Sequence, residues 1–161
     1  NSLKGNEFPI ILAGDHSSSA GTISGIRLAY PKQRLGVIWI DAHADLHSPW
    51  TTPSGNMHGM PLATALAEDN FEHKVHDPDA KTVDAWKQLK NIGKISPKIL
   101  PSDLVFIGLR DFEKEEEAIS SRRKRKIENI FRIHDYNIKS FYPSIKKGVY
   151  DALIHDFKLE F

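Results

Sequence analysis

Three uninterrupted apolar runs constrain this chain more than any other feature: Phe8–Ala13, Leu35–Ile40 (LGVIWI) and Leu104–Leu109 (LVFIGL). A strand with one wet face alternates apolar and polar residues. A strand without that alternation has to be covered on both faces, which is the situation of a parallel sheet. A shorter run at Ile130–Ile133 predicts a fourth strand. Helices are expected between them. The first starts at the caps Ser17, Ser18 and Ser19 and runs to about Tyr30, stopped by Pro31. The second spans Met60–Ala67 with Pro61 in its first turn. Others are expected over Val83–Asn91, Glu113 to about Lys126, and within Ile138–Phe157, with Asp41–Asn56 and Phe71–Ala80 as loops. The order β-α-β-α-β-α-β-α predicts an α/β fold, a parallel sheet with helices on both faces.

Composition narrows the function. A chain of 161 residues predicts one domain, residues 1–161, with a core of its own. Lys and Arg number 22 against 21 Asp and Glu, a net charge of +1 that argues against a general nucleic-acid binder. Cysteine is absent, which excludes disulfides, a thiolate nucleophile and Cys-ligated zinc or iron–sulfur sites. No apolar run approaches the roughly 18 residues of a membrane span, and no signal peptide is visible, so no membrane partner is expected and a cytoplasmic location is. The chain begins at Asn1 rather than Met, as a fragment or a processed product would.

Ligands of open parallel sheets bind beyond the carboxyl ends of the strands. The segments there are Gly14–Ser17, Asp41–Asp45 and Leu109–Glu116, all rich in charged or metal-capable side chains. In extended backbone Asp41, His43 and Asp45 project to one side and Ala42 and Ala44 to the other. Two carboxylates and an imidazole on one face repel and desolvate one another unless a cation joins them. Asp15 and His16 end the preceding run and are expected beside them. Such a mixture suits a hard or borderline divalent ion. Manganese fits better than structural zinc, with catalytic zinc or iron still open. A metal pair would turn water into a hydroxide nucleophile near neutral pH.

Gly14-Asp15-His16-Ser17, Asp41-Ala42-His43-Ala44-Asp45 and Ser54-Gly55-Asn56-Met57-His58-Gly59-Met60-Pro61 occur in that order, followed by Gly108-Leu109-Arg110-Asp111. Together these segments resemble the ureohydrolase superfamily and, within it, the arginases, from about Phe8 to Phe157. The resemblance implies a three-layer αβα sandwich around a parallel sheet. It implies hydrolysis of a guanidinium group, L-arginine to L-ornithine and urea, at a binuclear manganese centre, by an enzyme that commonly forms homo-oligomers. By the same resemblance His16, Asp41 and Asp45 match ligands of one manganese, and Asp41 and His43 those of the other. His58 matches a proton shuttle, Ser54 and Asn56 match α-carboxylate binders, and Asp111 and Glu116 match acidic residues near the α-amino group. The Thr51–Asn56 loop favours arginase over agmatinase, because agmatine has no α-carboxylate. Formiminoglutamate hydrolases share the metal motifs, and a non-catalytic protein of the same fold is the alternative of another class.

The match departs in places. His47 stands where many arginases carry an asparagine that contacts the α-carboxylate, and Glu113 where an aspartate is usual. The aspartate-rich S-x-D-x-D-x-x-D-P segment of the family occurs nowhere in the chain, and the beginning looks short beside family members, which carry a strand and helices before the Gly-Asp-His motif. The expectation is an internal fragment, truncated at both ends, that binds metal weakly and hydrolyses little on its own, with an open sheet edge that promotes association.

Other features have plainer readings. Arg122–Lys126 balances the acidic residues Glu113–Glu117 on one helix and complements its dipole. His73, His76, Asp77 and Asp79 are expected in a solvated loop rather than in a second metal site, and His134-Asp135 at the edge of the main site has the weaker of its two readings. Trp39 and Trp86 read as packing residues; Trp50 reads equally as a wall of the site entrance or as a ring stacked on a neighbour.

Overall fold

The computed structural model describes residues 2–5, 7 and 9–109, and the strand at 130–131. It forms two compact units, one from Asn1–Leu35 and Asp45–Lys98, the other from Gly36–Ala44 and Ile99–Phe161. The expected helices Glu113–Lys126 and Ile138–Phe157, and the residues Asp111, Glu113, Glu116, His134 and Asp135, lie outside the described residues.

The first unit holds the helices. α1 (Ser18–Ala29) starts and stops within a residue or so of expectation, but its three serines act differently. Ser17 makes no side-chain cap bond; its amide and hydroxyl both donate to Asp15 Oδ1, at 2.8 and 2.5 Å, and the Ser18 hydroxyl donates to the Asp15 carbonyl. The serines therefore fix Asp15, which precedes His16. α2 (Pro61–Leu66) has Pro61 in its first turn and every residue buried. A short helix gains little from its own hydrogen bonds. Burial of Leu62 and Leu66, at roughly 2 kcal/mol for each leucine, is what holds it. α3 (Ala80–Lys90) begins three residues before the expected Val83, because Asp79 accepts from the Thr82 amide at 2.7 Å and caps it. Trp50, Met60, Ala63 and Trp86 form a buried cluster joining the loop, α2 and α3. Gly93 follows α3 at φ +69°, and an added Cβ would lie 2.0 Å from a methyl carbon of Leu28 on α1, so only glycine serves there.

The second unit is the sheet. β1 (Val37–Ile40), β2 (Leu104–Ile107) and β3 (Ile130–Phe131) lie side by side in that order, all parallel. Trp39 pairs with Phe106 and Ile40 with Ile107, while Phe106 pairs with Ile130. β2 is buried along its whole length, as its unbroken apolar run requires. β1 buries Trp39 on one face and leaves Ile40, on the other, 75% exposed.

The strand expected at Phe8–Ala13 does not form. Residues 9–13 have no regular structure, and Ile10 and Leu12 are 80% and 94% exposed. An apolar run becomes a strand only where a neighbour supplies its hydrogen bonds. None of β1, β2 and β3 pairs with these residues.

Candidate metal and substrate site

Asp45 is placed by its surroundings through both its backbone and its side chain. The α-helix α2 leaves its first amides without partners of its own. The Asp45 carbonyl accepts from two of them, Leu62 at 3.1 Å and Ala63 at 3.4 Å. To do so Asp45 adopts φ +49°, a left-handed conformation that a non-glycine residue takes at a cost of about 1 kcal/mol. Its carboxylate is buried, and Oδ2 lies 2.9 Å from His16 Nδ1, whose ring is half-exposed. Two donors bound side by side on one divalent ion, each at about 2.1 Å, lie about 3 Å apart. The His16–Asp45 spacing fits that bite, and the nitrogen–carboxylate donor set suits manganese, zinc or iron. Asp15 stands next to His16 with its carboxyl held below the usual range, first by the Ser17 hydroxyl and amide, then by the charges of His58 and His16.

Leu46–Ser48 and Trp50–Thr52 are buried although much of this segment is polar, and Ser48 and Thr51 find hydrogen-bond partners inside the protein. The Thr51 hydroxyl oxygen accepts from the Ser48 amide at 2.9 Å and lies 3.2 Å from His47 Nδ1. The His47 amide donates to the Gly59 carbonyl at 2.9 Å, tying this segment to the His58 turn. His47 is only 5% exposed, its ring set against Thr51. Ser54 and Asn56 stand in the exposed part of the loop, where the Ser54 hydroxyl oxygen accepts from the Asn56 amide at 3.2 Å and Gly55 turns the chain at φ +75°. His58, in a 3-10 turn at Met57–Gly59, is exposed as well.

In the sheet unit, Asp41 and His43 follow directly on β1. The extended alternation expected for Asp41–Asp45 does not occur: the strand ends at Ile40 and the chain bends over Asp41–His43. The cause is local. Asp41 Oδ1 accepts from the His43 amide at 3.0 Å, a side-chain-to-backbone bond that turns the chain, and lies 3.3 Å from His43 Nδ1. In the His73–Asp79 segment, Asp77 pairs with Lys74 and Asp79 caps α3. Trp50 stacks edge-on against Phe71 at 4.7 Å.

Sequence reasoning missed the residues that brace the loop. Asp69 and Asn70 carry no motif, and nothing in the sequence pointed to the bracing bonds of Thr51 and Trp86. The only signal was the polar stretch Glu68-Asp69-Asn70 straight after a buried helix, where loops often turn back onto side chains.

Compared with known proteins, residues 1–155 match the Arginase family. The chain belongs to the arginase family. It is 42% identical over 120 residues to an arginase of Bacillus caldovelox, covering 74% of this chain and 34% of that protein. It is 38% identical over 133 residues to an arginase of Brevibacillus brevis, covering 83% of this chain and 38% of that one. The crystal structure of arginase from Bacillus subtilis superposes with a TM-score of 0.70 at 32% identity, over 94% of this chain and 45% of that chain. The parallel sheet and its helices are thus an arginase-like α/β fold, as the resemblance implied, and the chain spans about a third of the length of these curated relatives. Among the described residues, no helix is long and apolar enough to cross a membrane.

Proposed function

We propose that the protein to which these residues belong hydrolyses the guanidinium group of L-arginine to L-ornithine and urea, with manganese as its metal. The observation that carries this reading is the contact of His16 with the buried Asp45 carboxylate, at the spacing of two ligands of one ion. By the family resemblance, His16, Asp41, His43 and Asp45 would hold the metal. When bound, manganese supplies the Lewis acidity that makes water a nucleophile near neutral pH. The chain's own residues do the rest. His58, exposed in its 3-10 turn, is the imidazole that would hand a proton to the leaving amine. Ser54 and Asn56 offer a hydroxyl and an amide to the α-carboxylate, and Asp111 and Glu116 offer carboxylates to the α-ammonium. His47, whose Nδ1 lies 3.2 Å from the Thr51 hydroxyl oxygen, joins these substrate-binding residues as a donor in place of the family's asparagine. Glu113, one methylene longer than aspartate, sets the distance on the ammonium side. The enzyme is a cytoplasmic homo-oligomer on this reading, and the 161-residue chain by itself binds metal weakly and turns over little.

Urea release with Mn2+ by the protein expressed from its complete reading frame tests the proposal, with L-arginine and agmatine offered side by side. Arginine is expected to be preferred, and Ser54→Ala and Asn56→Ala are expected to raise KM for arginine and leave agmatine turnover alone. Turnover of agmatine without arginine would move the assignment to another amidinohydrolase. No turnover of either would leave a non-catalytic member of the family.

A further inference from the structure

We infer that Asp69 is a positioning residue: it latches the segment after Asp45 onto α3 and thereby sets where the Asp45 carboxylate and the Ser54–Asn56 loop stand. The inference rests on the reading of Asp45 as a metal ligand. Its support is a set of bonds that converge on two adjacent residues. Asp69 Oδ1 accepts from the Trp86 indole N–H at 2.6 Å and from the Lys90 ammonium, both on α3. That ammonium also lies 5.7 Å from the Trp86 ring centre, so the three side chains form one closed group. The Asp69 carbonyl accepts from the Ser48 hydroxyl at 2.5 Å, and Ser48 Oγ in turn accepts from the Trp50 amide at 3.3 Å. The Asn70 side chain donates to the Leu46 carbonyl at 2.9 Å, from a left-handed backbone at φ +55°. Leu46 and Ser48 are both fully buried.

A brace needed only for stability has cheaper forms. Apolar packing does as well as a half-buried ion pair, whose desolvation offsets much of its attraction. A directional hub does what packing does not: it fixes the register of residues 46–50 against the helix. On one side of those residues stands Asp45, held by α2 through its carbonyl; on the other runs the exposed turn with Ser54 and Asn56. With Asp69 in place, both ends of the candidate ligand loop hang from rigid helices, the condition for holding ligands in a fixed geometry.

The test uses the chain itself, with Mn2+ alone as the probe. Amide hydrogen exchange is followed at residues 46–52, and Mn2+ affinity is read from the loss of the free-ion electron paramagnetic resonance signal. Asp69→Ala is expected to speed exchange at residues 46–52 and to weaken Mn2+ binding by about tenfold, the factor carried by one charge-assisted hydrogen bond, while α1 keeps its protection. Asp69→Asn, which keeps an acceptor for Trp86, is expected to fall between. Should Asp69→Ala unfold, Ser48→Ala removes the hook alone and is expected to weaken Mn2+ binding with α3 intact. Unchanged exchange at residues 46–52 in a folded Asp69→Ala variant overturns the latch. Faster exchange with unchanged Mn2+ affinity overturns its positioning role. Absence of Mn2+ binding by the wild type refutes the metal reading of Asp45 and, with it, the positioning role; the exchange data still decide the latch.

Discussion

Replacing Asp45 separates the backbone role of this residue from its side-chain role. Asp45 sits at φ +49° because its carbonyl caps α2 while its carboxylate reaches His16. Aspartate tolerates that conformation better than alanine does, and glycine adopts it freely. In the metal-free chain, Asp45→Gly is therefore expected to be about 1 kcal/mol more stable than Asp45→Ala, since the two differ only in a Cβ held at positive φ. For a chain of this size that is a difference of roughly 2–4 °C in Tm. The side chain is then read by adding Mn2+. An ion present at 100 times its Kd stabilises the native state by about 2.7 kcal/mol, and that rise is expected in the wild type and in neither variant. Urea unfolding followed by tryptophan fluorescence, with and without Mn2+, measures both quantities. Equal stability of the two variants would refute the strain argument. A Mn2+ response preserved in Asp45→Gly would refute Asp45 as a ligand.

Thr51→Val keeps the shape of a fully buried side chain and removes the acceptor of the Ser48 amide, so a loss of about 2 kcal/mol is expected in chemical unfolding. Asp79 has its carboxyl held below 3.8 by the Thr82 amide. The stability it gives α3 is therefore present above pH 3.8 and lost as pH falls through the lowered value, and exchange of the Thr82 amide should accelerate there in the wild type and not in Asp79→Asn. Lys98 is 2% exposed, donates to the Lys90 and Ile95 carbonyls, and has its ammonium pushed below 10.5 by burial. Between that lowered value and 10.5 the unfolded chain binds more protons than the folded one, so Lys98 adds stability as pH rises. The urea midpoint of the wild type should gain on that of Lys98→Met across this window, and a constant gap would contradict it.

Much of the fold was legible in the chain because its signals are local. Unbroken apolar runs state that a strand is covered on both faces, and β2 is; Pro61 and Pro31 mark a helix start and stop, and α2 and α1 obey them. The family was legible in the motifs at Asp15-His16, Asp41–Asp45 and Ser54–His58, because these combine few residue types at short spacing. Other readings failed where a competing bond decided. Phe8–Ala13 carries a strand's composition, yet residues 9–13 meet no pairing edge among the described strands. The alternation at Asp41–Asp45 gives way to a carboxylate that turns its own backbone.

The sequence by itself determined the fold class and the places of α1, α2, β1 and β2, all of which follow from residue type and short-range period. Only the tertiary structure decided that His47 faces Thr51, that Asp45 is held by α2 through its carbonyl, and that Asp69 ties the segment after Asp45 to α3. These are bonds between residues 4 to 21 positions apart, formed because buried polar groups must find partners wherever packing places them. Periodicity carries no information about which partner that will be.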